Sequence, residues 1–222
     1  MEKRVFITTL SLLLPMMAFA QLTPQNDRMV DTKATEIMSG VVKEINKYNT
    51  LKIAFTVDVK TSKGKITQSY TGELSMKGNA YKGVLQGNEV YCNGKETWLY
   101  QKEINEVQWQ TYDAQSEDVL NLRKFIVDYA KHFRPRFIKE EIKTGIVYQV
   151  IDLLPQKSAY YYKVRLLLDK QEKKIFSMTI HHKNGETTSY KVKKWLPDIA
   201  VNEKEFTFDV KAHPSVEIID LR

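Results

Sequence analysis

Hydrophobic and polar residues alternate along most of this chain with the period of two that is typical of half-buried β-strands. In segment 70–76, the residues Tyr70, Gly72, Leu74 and Met76 share one side. The dipeptides Gly78-Asn79, Gly87-Asn88 and Asn93-Gly94 interrupt the short apolar segments that follow, and such dipeptides favour tight turns because these need positive φ. Strands joined by tight turns pair antiparallel. We therefore predict a meander over 70–112, with one face rich in large apolar and aromatic side chains.

Two segments have the period of an amphipathic helix instead. In the first, apolar residues recur at spacings of three and four from Ala34 to Tyr48, and Asp31 or Thr32 is placed to cap the helix. The second is predicted from Val119 to Phe133, with Pro135 ending it. The remaining alternating segments are 51–59, 137–142, 147–154, 160–168, 175–181 and 187–195, and short apolar pieces at 206–208 and 216–221 finish the chain.

These elements predict one long antiparallel sheet of about ten strands. Open sheets of that size twist strongly and tend to close or half-close, and a barrel of about eight strands already has an interior that holds a small ligand. The predicted fold class is therefore mainly β: an incomplete, half-open antiparallel β-barrel with two covering α-helices, which act as a lid or plug.

The first twenty residues have the plan of a secretory signal peptide. Lys3 and Arg4 precede an apolar run, 5–17, and Ala18-Phe19-Ala20 forms a cleavage site with small residues at its ends. The run is too short for a membrane span. We expect residues 1–20 to be removed and residues 21–222 to form a single exported domain, without a lipid anchor because no cysteine follows the cleavage point directly.

The net charge and composition limit the kinds of molecule that the chain is expected to bind. The formal net charge is +7, but lysines are spread over most predicted strands as solvent-facing residues, so nucleic acid is not an expected partner. Anionic lipid head groups or acidic proteins are the partners that a basic surface attracts. The chain has one cysteine, Cys92, so the fold has no internal disulfide and depends on a large core.

The sequence offers little catalytic or metal-binding chemistry. His181 and His182 are neighbours on a predicted strand, as are Glu140 and Glu141, so the side chains of each pair point to opposite faces and do not act on one ion or substrate. Cys92 has no partner near it in sequence to lower its pKa, and phosphate-binding and dinucleotide-binding glycine motifs are absent. We expect no enzyme, no metal and no cofactor, although catalytic groups that converge from distant strands leave a secreted hydrolase as an alternative.

The feature that remains is a surplus of apolar and aromatic side chains. A half-barrel of this size has more concave surface than two short helices fill, and methionine with aromatic residues makes an adaptable cavity lining. The alternative is that each of these residues simply fills a core. The candidate lining residues are Phe55, Tyr70, Leu74, Met76, Tyr81, Leu85, Trp98, Tyr100, Trp109, Tyr148 and Leu166, together with Tyr162, Phe176 and Met178.

Several short motifs, in order, resemble those of the periplasmic outer-membrane lipoprotein carrier family LolA over essentially all of 21–222. The motifs are Phe55-Thr56-Val57, the segment 70–74 with Lys77 after it, 93–100, Asn184-Gly185, Tyr190-Lys191-Val192, 206–208 and 216–222. The resemblance implies a periplasmic half-barrel whose hydrophobic cavity holds acyl chains of outer-membrane lipoproteins. It further implies that cargo is received from an inner-membrane ABC transporter and delivered to an outer-membrane acceptor, whose identity is not indicated.

To load or release a ligand, either the helix Val119 to Phe133 or the N-terminal helix would have to open. Phe125, Ile126 and Tyr129 are expected to occupy the empty cavity and to be displaced by acyl chains. Enteric members of the family have an arginine, which holds the helical lid shut, at the position of Gly78, so the latch must differ or be weaker here. We expect a monomer. An alternative function on the same half-barrel is a sensor of envelope stress that reads a lipid or peptide without transporting it.

Overall fold

The structure is a computed structural model that describes residues 30–113 and 122–222. The predicted signal peptide and Val119 lie outside these residues. Twelve strands form one sheet: β1 Thr50–Lys60, β2 Ile66–Lys77, β3 Ala80–Leu85, β4 Asn88–Cys92, β5 Glu96–Gln101, β6 Glu106–Thr111, β7 Phe133–Lys143, β8 Ile146–Pro155, β9 Tyr161–Asp169, β10 Ile175–His182, β11 Thr187–Pro197 and β12 Glu217–Asp220.

The strand order makes the barrel incomplete. It runs β12-β6-β5-β4-β3-β2-β1-β11-β10-β9-β8-β7, and within the described residues β7 and β12 are edges that do not pair with each other. All pairs are antiparallel except one. This confirms the predicted fold class of a mainly β, half-open barrel with covering helices.

The C-terminal part differs from the prediction in two ways. Strand β12 pairs with β6 in parallel, because the long connection 198–216 returns the chain to the other end of the sheet before the strand begins. The apolar piece 206–208 is not a strand: Glu203–Phe206 is a short 3₁₀ helix that Asn202 caps, and Phe206 and Phe208 are both buried.

The first predicted helix is confirmed. Helix α1 spans Thr32–Asn46, and the Asp31 carboxylate accepts a hydrogen bond from the backbone N–H of Ala34 at 2.9 Å. Its apolar stripe faces the sheet, where Met38 and Val41 are fully buried. The helix therefore covers part of the sheet rather than standing beside it.

The second predicted helix is broken within the described residues. Helix α2 spans Leu122–Val127 and helix α3 spans Tyr129–His132, with Asp128 between them outside helical geometry. Pro135 does not end the helix but lies inside β7, which an edge strand tolerates because a proline there removes no interstrand donor. The residue before a proline is also driven toward extended geometry, which favours strand at Arg134.

One row of cross-strand partners organises the buried face. Phe137, Ile151, Leu166, Met178, Tyr190, Val57 and Tyr70 lie opposite one another in turn across seven strands, from β7 to β2. We call the face that carries this row the inner face and the other the outer face. Helices α1, α2 and α3 pack on the inner face, where Met38, Ile126 and Tyr129 join the largest buried cluster.

Asp31 ties the start of α1 to the edge strand. Its Oδ1 caps the helix, while its Oδ2 accepts a hydrogen bond from the backbone N–H of Phe137 in β7 at 2.8 Å. Beside it, Lys33 Nζ lies 3.6 Å from the centroid of the Phe137 ring. One carboxylate thus holds the helix cover onto the sheet.

We predict that Asp31→Asn lowers the free energy of unfolding by about 1 kcal/mol at neutral pH, because the amide retains only one acceptor for the two donors. The hydrogen bond from Ala34, with that from Phe137, lowers the pKa of Asp31 below its ordinary 3.8, so the carboxylate stabilises the fold above that value and loses its effect as the pH falls further. Urea denaturation at neutral and acid pH measures both effects.

Glu36→Gln is the matched control, because this substitution also replaces a carboxylate by an amide and Glu36 is exposed on the same helix. The assignment is wrong if the two variants lose equal stability at neutral pH, or if the difference between them persists in acid.

Candidate functional site

A cavity of about 290 Å³ opens on the inner face between β1, β2 and β3 on one side and β10 and β11 on the other. Its volume is at the lower end of the range for ligand pockets, which is about 300–1,000 Å³. Glu73 is the one charged lining residue in the part of the chain that the structure describes, and its carboxylate is paired with Lys52 at 2.8 Å. The lining residues are Phe55, Glu73, Leu74, Gly83, Val84, Leu85, Ile175, Met178, Tyr190 and Val192.

Gly72 shapes one wall of the cavity. It lies between Phe55 and Leu85 in the sheet, as the cross-strand partner of both. A Cβ at this position would lie 2.7 Å from the Phe55 ring and 2.7 Å from Leu85 Cδ1, so the two side chains meet over the glycine. On the next inner-face position, Leu74 faces Gly83, which again has no side chain. The space that a side chain at position 72 would need is thus taken by Phe55 and Leu85, which form this wall of the cavity.

Tyr190 is the polar side chain of the opposite wall. Its ring lies 6.0 Å from that of Phe55, centroid to centroid. Burial, with smaller effects from Tyr70 and Tyr160, raises the pKa of Tyr190 to about 12. The Tyr190 hydroxyl has no hydrogen-bond partner among the described residues. The cavity is therefore apolar, with one neutral hydroxyl that is free to serve a ligand.

The structure brings together some of the residues predicted to line a cavity. Phe55, Leu74, Leu85 and Met178 line it directly. Tyr70 ends the inner-face row, Met76 and Tyr81 are buried in the adjoining cluster with Ile53, and Leu166 is fully buried beneath the helices. From the helices, Ile126 and Tyr129 are buried in the core and Phe125 is packed against it. Their part in binding stays a prediction.

Six predicted lining residues lie away from the cavity: Trp98, Tyr100, Trp109, Tyr148, Tyr162 and Phe176. Trp98 faces Tyr91, Tyr91 faces Lys82 and Lys82 faces Ser75, which puts Trp98 on the outer face, because Ser75 points opposite to its neighbour Leu74. The outer-face residues Trp98, Tyr100 and Trp109 pack against Phe208. Tyr148 packs with Val150, Leu167 and Phe176 in a separate cluster. Ile151, which follows Val150 in the chain, belongs instead to the cluster on the inner face. The meander therefore carries aromatic residues on both faces.

Six lining residues were not among the predicted ones: Glu73, Gly83, Val84, Ile175, Tyr190 and Val192. The alternation in β10 and β11 places Met178 and Tyr190 on a common side, but the sequence does not say that this side faces β1. The pairing of β1 with β11 supplies that information, through Phe55 opposite Val192 and Val57 opposite Tyr190.

The sheet also has charged side chains that do not line the cavity. No group of three His, Cys, Asp or Glu residues that could hold a metal ion occurs within 30–113 and 122–222. Asp152, on the outer face, is buried; burial opposes its charge, but hydrogen bonds from Arg165 at 2.6 and 2.8 Å and from Lys163 at 3.1 Å outweigh that effect and lower its pKa. Among the described helices, none has the length and apolarity to span a membrane.

In the pairs His181–His182 and Glu140–Glu141, the two neighbouring side chains contact different partners, as expected when side chains alternate between the faces of a strand. The ring of His181 lies against Tyr162, while that of His182 stacks on Tyr160. Glu140 pairs with Lys170, whereas the neighbouring Glu141 pairs with Lys139 and Lys143.

Gly78 lies in the turn between β2 and β3 with a φ of +57°. Having no side chain, it does not reach the helices. The helices are held elsewhere: Asp31 binds the start of α1, and Gln156 Nε2 donates to the carbonyls of Ala130 at 3.0 Å and Phe133 at 3.2 Å. Lys77 instead pairs with Glu203 of the 3₁₀ helix at 2.7 Å.

A sequence model of the family described as outer membrane lipoprotein carrier protein LolA matches residues 46–209, which is well over half of the chain. The match includes the strands that form the cavity and excludes most of α1. No curated protein sequence matches the chain.

Solved structures are similar in fold at low identity. An uncharacterised conserved protein from Thermus thermophilus is 11% identical, with a TM-score of 0.59, over 85% of this chain and 99% of that protein. The lipoprotein LppX from Mycobacterium tuberculosis is 14% identical, with a TM-score of 0.46, over 78% of this chain and 100% of LppX. A putative outer membrane lipoprotein-sorting protein domain from Vibrio parahaemolyticus is 13% identical, with a TM-score of 0.44, over 78% and 96%. The similarity to the Thermus thermophilus protein shows a shared fold and nothing about function.

We predict that Tyr190→Phe gains stability relative to the parent protein in alkaline solution. The unfolded phenol ionises near pH 10, whereas the folded one stays neutral to about pH 12, so the parent loses stability as the pH rises between these values and the variant does not. Midway between them the gain, compared with neutral pH, is about 1 kcal/mol by urea denaturation.

Tyr162→Phe is the control, because that side chain is 50% exposed. An alkaline gain of equal size in both variants would refute the burial of the Tyr190 hydroxyl in the cavity wall.

Proposed function

Because this chain belongs to the LolA family of outer-membrane lipoprotein carrier proteins, we propose that it is a periplasmic carrier, which binds lipoprotein acyl chains in the inner-face cavity and ferries them from the inner to the outer membrane. The observation that supports this most directly is the cavity of about 290 Å³, whose walls are apolar apart from Glu73 and the Tyr190 hydroxyl. We propose a carrier without catalytic activity, in keeping with the family's description.

The physical need for a cover is large. Burying one acyl methylene is worth about 0.8 kcal/mol, so a chain of many methylenes does not leave a membrane for water unless a protein encloses it. In this proposal Phe55, Leu74 and Leu85 form one wall of the enclosure, and Ile175, Met178 and Val192 form the other.

A cargo with several acyl chains requires the cavity to grow. Helices α2 and α3 are the elements that we propose to move, because helices of six and four residues are not stable on their own and depend on packing. The side chains of Ile126 and Tyr129 are less than 7% exposed, and Phe125 packs beside them. Displacement of these three side chains would open the interior beneath the helices.

Tyr190 gives the cavity a way to orient its cargo. The Tyr190 hydroxyl has no partner among the described residues and is not one of their fully buried, unpaired polar atoms, so it remains accessible to an acceptor that a cargo brings. We propose that it donates to the ester carbonyl of an acyl chain. The methylenes then lie along Phe55 and Met178, and the lipid's polar end lies near Tyr70 and Tyr160.

Loading and release have to run downhill, since the sequence has no nucleotide-binding motif. We propose receipt from an inner-membrane ABC transporter and handover to an acceptor of higher affinity at the outer membrane, with the Asp31 link to β7 resisting premature opening.

The direct test is native mass spectrometry of the protein isolated from its own periplasm. A bound acylated lipoprotein supports the carrier function, and a protein that is consistently bare or binds only peptides contradicts it. Depletion of the protein then separates transport from sensing, because loss of a carrier retains lipoproteins in the inner membrane, whereas loss of a sensor leaves their location unchanged.

We predict that Leu85→Asp weakens binding of a fluorescent fatty acid by at least about tenfold, because a buried carboxylate without a partner is costly in an apolar cavity. Leu85 is only partly buried, so the variant retains the fold, which circular dichroism verifies.

Leu196→Asp is the matched control: Leu196 is 41% exposed and does not line the cavity. A second variant, Trp98→Leu, removes an outer-face ring and is expected to lower stability while preserving affinity. If Trp98→Leu abolishes binding and Leu85→Asp does not, the ligand lies on the outer face.

A further inference from the structure

Three turns meet at one end of the sheet. They are the β1–β2 turn at 61–65, the β8–β9 connection at 156–160 and the β10–β11 turn at 183–186, which together we call the turn cluster. The backbone N–H of Lys183 donates to the carbonyl of Tyr160 at 3.2 Å. A Cβ at Gly185 would lie 2.9 Å from Ser62 Cβ, so the two hairpin turns are also in contact. Residues distant in sequence thus form one continuous surface.

This surface is basic and its charges are not neutralised. Lys63, Lys65, Lys157 and Lys183 are exposed, Lys60 adjoins them, and none of the five forms a salt bridge with any described residue. Glu186 is the acidic residue of the three turns, and its carboxylate accepts a hydrogen bond from Asn184 at 2.7 Å. The cluster is therefore a patch of excess positive charge.

Lysines at the opposite end of the sheet have a different setting. Lys77 and Lys170 are paired with carboxylates at 2.7 and 3.0 Å. Lys43, Lys95 and Lys204 have no such pair among the described residues, but each adjoins a glutamate in the sequence. The turn cluster thus differs from this end in that its lysines are neither paired with carboxylates, as Lys77 and Lys170 are, nor, apart from Lys183, close in sequence to a glutamate.

Exposed apolar and aromatic side chains stand among the cluster's lysines. Ile66 is 49% exposed, Tyr160 64% and Tyr162 50%, and the Tyr160 ring stacks on His182 at 5.6 Å. Tyrosine is favoured at membrane–water interfaces because its ring is apolar and its hydroxyl is wet. Lysines around such residues attract anionic head groups as point charges, whereas bidentate recognition of protein carboxylates favours arginine, which the three turns lack.

We propose that the turn cluster is a membrane-contact surface that binds the anionic head groups of a phospholipid bilayer, with Ile66 and Tyr160 at the interface. The contact is electrostatic, weak and reversible, and it needs no cargo in the cavity. It brings Tyr160, at the end of the β8–β9 connection, to the membrane surface. The surface would remain if the cavity bound something other than lipoprotein.

The test is co-sedimentation of the full-length exported protein with vesicles of phosphatidylcholine, with and without phosphatidylglycerol. We expect binding to the anionic vesicles only. We also expect binding to weaken with salt, because the Debye length falls from about 30 Å at 0.01 M to about 8 Å at 0.15 M. Each lysine contact is worth about fivefold in the partition coefficient, so the variant K63E/K65E/K183E is expected to lose more than about a hundredfold.

The matched control is K43E/K95E/K204E, which changes the net charge equally at the other end and is expected to retain most of the binding. K63Q/K65Q/K183Q, which only neutralises the patch, is expected to lose less than the charge-reversed variant, and circular dichroism of all variants verifies that they are folded. The proposal is overturned if the parent protein binds both kinds of vesicle equally or neither. It is also overturned if the two charge-reversed variants lose binding equally, or if the parent binds immobilised poly-glutamate but not anionic vesicles, which would assign the surface to an acidic protein.

Discussion

The inner face of the sheet carries an unbroken row of apolar side chains that must be kept from water, and the rest of the structure depends on that requirement. From Phe137 in β7 to Tyr70 in β2 the row crosses seven strands. Helices α1 to α3 cover the part nearer β7, where Leu166 is fully buried. The part nearer β3 borders the cavity instead, so coverage is unequal and the vacant space lies where a ligand's own apolar surface would complete it.

Local periodicity predicted most of the elements but not their facing. The Asn-Gly turns and the alternation around Leu74 gave correct strands, and Asp31 caps α1 as expected, because these features depend on neighbours in sequence. The face of the sheet on which Trp98 and Tyr148 lie depends on how their strands are paired with the neighbouring strands. After each turn, either the odd-numbered or the even-numbered residues can point to the inner face. For the same reason the parallel pairing of β12 has no local signal.

The candidate site shows the same division. Phe55, Leu74 and Leu85 could be predicted because they lie on consecutive hairpins whose pairing is nearly unambiguous. Tyr190 and Val192 come from a strand more than a hundred residues later, and only the pairing of β1 with β11 brings them to the cavity. The concentration of lysines in three turns was likewise hidden, since in the sequence these residues are as widely spaced as any others.

A half-open barrel has two free edges, and unpaired edges are templates on which a second copy can add a strand and so begin a fibril. Here β12 offers only four residues. The longer edge, β7, contains Pro135, which has no N–H to offer, and its Phe137 N–H is already taken by Asp31. The Asp31 carboxylate, which links helix α1 to β7, therefore also makes the β7 edge a poorer template for adding a strand from a second copy.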